Sequence, residues 1–190
     1  MKILSLLFLA FVLVTCTTPK EKVSDNHETH KAVDATQSKS KSPKQMAITN
    51  VGDNHVHIEY HSPSKRGRQI FGGLVAYGEV WVTGAHSATS ISFVEDLVVG
   101  GQMIPAGKYA LFTIPGESTW TVIINKNWDQ HLADKYDQSE DLVRFDVTPV
   151  PLDEPVESLT YEVLSKENGV GVITISWDQV MIAFEIENKQ

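Results

Sequence analysis

Beyond residue 46 the chain is made of short runs of β-branched and aromatic residues, punctuated by Gly, Pro, Asn and Asp about every ten residues. No amphipathic helical period of useful length interrupts them. The pattern predicts strands at 46–51, 54–60, 80–83, 89–94, 97–99, 107–114, 119–125, 141–148, 157–163, 170–177 and 180–186. Where apolar and polar residues alternate, the core face can be named. Val143, Phe145 and Val147 oppose Arg144 and Asp146; Leu159, Tyr161 and Val163 oppose Thr160 and Glu162; Ile182, Phe184 and Ile186 oppose Ala183 and Glu185. Lys108 to Ile114 and Trp120 to Ile124 are apolar on both faces, as central strands are. Pro115-Gly116-Glu117-Ser118 and Asp178-Gln179 read as hairpin turns, and Gly100-Gly101 and Pro105-Ala106-Gly107 flank a short strand at Gln102 to Ile104. The expected fold is all-β: one sandwich-like domain, residues 46–190, of roughly ten short antiparallel strands.

The N-terminal pattern is different. Residues 1–15 carry Lys2, then an apolar run from Ile3 to Val14 broken only by Ser5, which is too short to cross about 30 Å of hydrocarbon. This is the signature of a cleaved signal peptide. Leu13-Val14-Thr15-Cys16 resembles a lipobox, with Val14 and Thr15 where smaller residues are commoner, and Cys16 is the only cysteine in the chain. Cys16 is therefore the expected lipidation site, and membrane lipid the expected partner through its acyl chains. Residues 16–45 hold few large apolar side chains and many Lys, Ser, Thr, Asp, Glu and His, a composition that cannot offset the entropy of ordering and reads as a tether. The expected location is the cell envelope, lipid-anchored.

Charge narrows the partners. Residues 47–190 contain nine Lys and Arg against twenty Asp and Glu, a net charge of −11. So acidic a domain is a poor partner for nucleic acid or anionic headgroups.

The segment Gly67-Arg68-Gln69-Ile70-Phe71-Gly72-Gly73-Leu74-Val75-Ala76-Tyr77-Gly78-Glu79-Val80-Trp81 is richer in glycine and aromatics than generic β structure. Thr83-Gly84-Ala85-His86-Ser87-Ala88-Thr89 and Pro105-Ala106-Gly107-Lys108-Tyr109-Ala110-Leu111-Phe112-Thr113-Ile114-Pro115-Gly116 follow it. Together these resemble the family numbered 2911 among domains of unknown function, found mainly in Bacteroidota, over most of residues 43–187. The resemblance implies an exported β-rich domain, often lipid-anchored, and no established activity. Against a family pattern of Trp-Arg-Thr-Gly-Ala-Asn, this chain has Val82 for the arginine and His86 for the asparagine.

Three constellations carry candidate chemistry. His55, His57, Glu59 and His61 alternate along one strand and share a face, with Val56, Ile58 and Tyr60 on the other; imidazoles and a carboxylate are natural ligands for zinc or copper, and His86 could add to them. Alternatively, this is a solvated strand face that happens to be histidine-rich. Ser64-Lys65-Arg66-Gly67-Arg68 places three cations in four residues, suited to carboxylate or phosphate, or equally to internal pairing with the surplus acids. Tyr77, Trp81, Trp128 and Tyr136 lie in loops, where aromatic faces stack on sugar rings or plug the sandwich ends. Of these loops, 126–140 is longer than a plain connection needs. No nucleophile elbow, His-Glu-x-x-His motif or phosphate loop is present, which leaves a hydrolase using His86, Asp129 or His131 as base as the weakest reading. The expected function is binding of a small anionic or carbohydrate-like ligand around Arg68, Tyr77, Trp81, Thr83 and His86. Metal binding through His55, His57 and His61 is the alternative.

Overall fold

The computed structural model describes residues 40–188. The expected signal segment, Cys16 and most of the expected tether lie outside the described residues. Ten strands follow one another: β1 (Lys44–Val51), β2 (Asn54–His61), β3 (Ser90–Phe93), β4 (Leu97–Val99), β5 (Gln102–Ile104), β6 (Gly107–Ile114), β7 (Trp120–Asn125), β8 (Asp141–Val147), β9 (Val150–Ser165) and β10 (Val170–Glu187). They form two antiparallel sheets, one of order β1-β2-β3-β6-β7-β8 and one of order β5-β4-β10-β9. The fold is the expected all-β sandwich.

Alternation decides what goes inside. Val56, Ile58 and Tyr60 of β2, Ile91 and Phe93 of β3, and Leu111 of β6 meet Leu159 and Tyr161 of β9 and Ile173, Ile175 and Trp177 of β10 in a single core. At about 25 cal/mol per Å² of apolar area removed from water, this burial is the main term holding the sheets together. On the outside of β6 and β7 a smaller cluster of Val82, Ala88, Ala110, Phe112 and Ile123 lies beneath Ala133 and Tyr136. These two strands are apolar on both faces because the 126–140 loop covers the second one. That loop is itself tied down: Tyr136 donates to Asp141 Oδ2 (2.7 Å) and Asn125 to Asp141 Oδ1 (2.7 Å). Burial and the Asp141 hydrogen bond push the Tyr136 phenol far above its ordinary range.

Two expectations are corrected. Residues 80–83 form no strand; Trp81 makes an isolated bridge to Thr113, and the polypeptide turns away at Thr83 (φ +50°). Asp178-Gln179 is not a hairpin turn, because β10 runs unbroken from residue 170 to 187 with register shifts on both sides of Asp178 (φ +54°). An Asp in the left-handed region reads as a turn in sequence, but one such residue opposite a continuous partner makes a bulge. The bulge aims Asp178 at Lys65, with which it forms an ion pair. Asp153 and Glu154 lie within β9, exposed on a sheet-edge strand where Pro151 and Pro155 are tolerated.

Beyond β2 the chain crosses from one sheet to the other. Ser64 bridges to Ser158, Leu159 N–H donates to Pro63 O (3.0 Å) and Lys65 N–H to Glu157 O (2.7 Å). With Lys65 held by Asp178, this crossing fixes where Arg66 and Arg68 sit.

Candidate functional site

A groove of about 440 Å³ opens beside the crossing. Its floor is apolar: Leu74, Val75, Trp81, Val82, Leu132 and Trp177. Trp81 stacks on buried Trp177 at 5.8 Å with an interplanar angle of 21°, and Phe71 meets both edge-on. The Trp81 indole N–H donates to Gly84 O (3.1 Å). A side chain at Gly84 would meet Thr89 Oγ1 at 2.8 Å, so the close approach here favours glycine.

The rim is cationic, formed by Lys41, Arg66 and Arg68, with His86 beside them. Arg68 donates from Nε to Lys65 O (3.0 Å) and from Nη2 to Ser64 O (2.6 Å), and Arg66 from Nη2 to Lys41 O (2.9 Å). These bonds orient both guanidiniums without neutralising them. Among the described residues neither arginine forms an ion pair, although Glu157 Oε1 accepts the Arg66 backbone N–H (2.9 Å). Internal pairing therefore accounts for Lys65 alone of the three loop cations. In so acidic a domain, two arginines without a carboxylate partner mark a place where an anion is wanted.

Backbone strain gathers at the same place. Arg66 (φ +51°), His86 (φ +64°) and Leu132 (φ +49°) line the groove and Thr83 (φ +50°) adjoins it. Such residues cost about 1–3 kcal/mol each and cluster at functional sites. Leu132 N–H donates to His86 O (2.6 Å) and Ala88 N–H to Gln130 O (3.0 Å), stitching the long loop to this wall.

Arg68, Trp81 and His86, all expected from the sequence, thus meet at one groove. Thr83 is buried beneath it: its Oγ1 lies 2.9 Å from Thr113 Oγ1, and its carbonyl accepts from Tyr161 OH (2.8 Å) and Thr89 Oγ1 (3.0 Å). It positions the floor and offers no free group. Tyr77 stands apart, in a separate hollow of about 300 Å³ with Phe71, Trp120, Pro149 and Pro151. Leu74, Leu132 and Trp177 were missed as lining residues; their one signal in the sequence was Leu74 and Leu132 as large apolar side chains in loops.

The histidine strand keeps its common face but disperses its partners. His55 Nδ1 lies 2.8 Å from Asn50 Oδ1, and His61 packs edge-on against His86 at 5.2 Å. His57 Nε2 is buried without a hydrogen-bond partner, 4.0 Å from Glu59 Oε1. Glu59 is held between Lys44 (3.2 Å) and Lys108 (3.3 Å). Partial burial opposes ionisation of Glu59, but the two lysines outweigh it and hold the carboxyl below its ordinary range. Among the described residues no group of three or more His, Cys, Asp or Glu side chains is placed to hold a metal ion. Burial, the neighbouring His86 and Lys44 together keep the His61 pKa below its ordinary value.

The model of the family described as "Protein of unknown function (DUF2911)" matches residues 42–186. The chain belongs to that family. No curated protein and no solved structure matches it. In this DUF2911 domain Val82 and His86 both line the groove.

Proposed function

We propose that this domain binds a small amphipathic anion: an apolar body on the Trp81–Trp177 floor, and a carboxylate, phosphate or sulfate group against Arg66 and Arg68. The observation that carries this reading is the pair of oriented guanidiniums, without carboxylate partners among the described residues, beside an apolar floor. A free sugar fits less well. Its hydroxyls both donate and accept, whereas the side chains lining the groove include no Asp, Glu, Asn or Gln. The volume lies within the roughly 300–1,000 Å³ typical of small-ligand sites.

The test is calorimetric titration of the full chain with octanoate, octyl phosphate and 1-octanol. The two anions should bind at least about tenfold more tightly than the alcohol, the difference a charge-assisted hydrogen bond supplies. Equal affinity for octanoate and octanol would sink the proposal.

The domain is held at the envelope membrane by acylated Cys16, in this reading. Two or three acyl chains give stable retention where a single chain is marginal. Cys16→Ser should move the protein from the membrane to the soluble fraction, and continued sedimentation with membranes would refute the anchor.

A further inference from the structure

His86 lines the groove, but its ring partner His61 lines a second hollow of about 190 Å³. The hollow lies over the outer face of β2, β3 and β6, beneath the long loop. Its charges balance: Lys44 and Lys108 on one side of the count, Glu59 and Asp129 on the other. The Ser87 and Ser90 hydroxyls add groups that donate and accept. One wall is Trp128, 39 % exposed, with Lys108 Nζ 4.3 Å from its ring centroid. Nearby, the Gln130 side chain donates to Asn127 O (2.6 Å) and accepts from Lys135 N–H (3.2 Å). The tryptophan therefore stands on a braced loop.

Each feature restricts the ligand. A volume below the usual drug-sized range limits it to about one six-membered ring with its substituents. Balanced charge disfavours an anion, which Glu59 and Asp129 repel, and a cation, which the two lysines repel. Donors and acceptors side by side suit a molecule whose groups are both at once. The indole wall suits one with an apolar C–H face.

We propose that this hollow binds a single neutral sugar ring, its hydroxyls shared between Glu59, Asp129, Lys44 and Lys108 and one face against Trp128. The hollow shares no lining residue with the groove, so either reading can fail without the other.

The full chain, labelled with ¹⁵N, is titrated with methyl β-glucoside, methyl β-galactoside, methyl α-mannoside and N-acetylglucosamine. The indole N–H signal of Trp128, identified by its loss in Trp128→Phe, reports binding. At least one sugar should move that signal to saturation. Glu59→Gln should weaken the response about tenfold or more, and Arg68→Ala should leave it unchanged. Asp129→Asn, at an exposed position that cannot unfold the sheet, should weaken it too. The proposal is overturned if no sugar produces a saturable shift, if the response is unchanged in both carboxylate variants, or if Arg68→Ala abolishes it.

Discussion

The groove floored by Trp81 and the hollow walled by Trp128 meet at the His61–His86 contact, yet their polar groups differ in kind. Among the residues lining the groove every charged side chain is a cation; among those lining the hollow cations and carboxylates are matched. The difference originates in the strands beneath. Outward residues of β1, β2 and β6 bring Lys44, Glu59 and Lys108 together by cross-strand register, Lys44 opposite His61 and Glu59 opposite Met46 and Ser90. Pairing of that sort neutralises charge locally. The groove is instead built from loops, and its arginines are oriented by backbone carbonyls, which leave their charge available. Sheet register thus tends to satisfy charges, and loop crossings can hold them unsatisfied.

The two tryptophans give the largest contrast. Trp81 belongs to the Phe71–Trp120–Trp177 ring cluster, so Trp81→Ala should lower stability by about 3–5 kcal/mol and destroy the groove. Trp128→Ala should stay within about 0.5–1 kcal/mol of wild type, because the side chain is substantially exposed. Denaturant melts of the two variants check this, and a comparable loss from both would show that the long loop is part of the core.

Next in size is the arginine pair. Arg66→Ala combined with Arg68→Ala should reduce octanoate affinity about tenfold to a hundredfold while octanol binding changes little. Loss of both to the same extent would mean that the loop had collapsed. Asp178→Asn is expected to act more gently: it releases Lys65, loosens the crossing and weakens octanoate binding a few-fold, read in the same titration. If affinity rose with Asp178→Asn, Lys65 would have been a ligand group kept in reserve.

The smallest effect concerns the shared wall. His61 takes up a proton less readily when folded than its ordinary value of 6.5, first because of burial and then because of His86 and Lys44. The unfolded chain therefore binds the proton first as pH falls. Stability from this residue is complete above 6.5 and declines as pH drops toward the folded value. Melting temperatures at about pH 7.5 and about pH 5.5 should differ less in His61→Gln than in wild type. An unchanged difference would place the titration elsewhere.

Much of the fold was legible because alternation reports burial directly. The inward sets on β8, β9 and β10, the Pro115-Gly116 hairpin and the doubly apolar β6 and β7 all follow from it. Asp178 misled because a left-handed residue has the same sequence signature in a turn and in a bulge, and only the partner strand distinguishes them. At the site, the cationic loop and Trp81 were readable as chemistry. What alternation cannot report is convergence: Leu74, Leu132 and Trp177 reach the groove from three separate segments, and that placement is set by the crossing and the stitched long loop. The alternating histidines illustrate the limit from the other side. Their shared face was legible, but Asn50, His86 and the lysines flanking Glu59 come from other strands and loops and give each a separate environment.

The most direct test of the groove assignment is to follow the indole N–H signals of the four tryptophans while octanoate is added to the full chain. Trp81, whose indole donates to Gly84 O in the groove wall, should shift saturably together with Trp177, and Trp128 should stay still. A saturable shift at Trp128 with Trp81 unmoved would contradict the account.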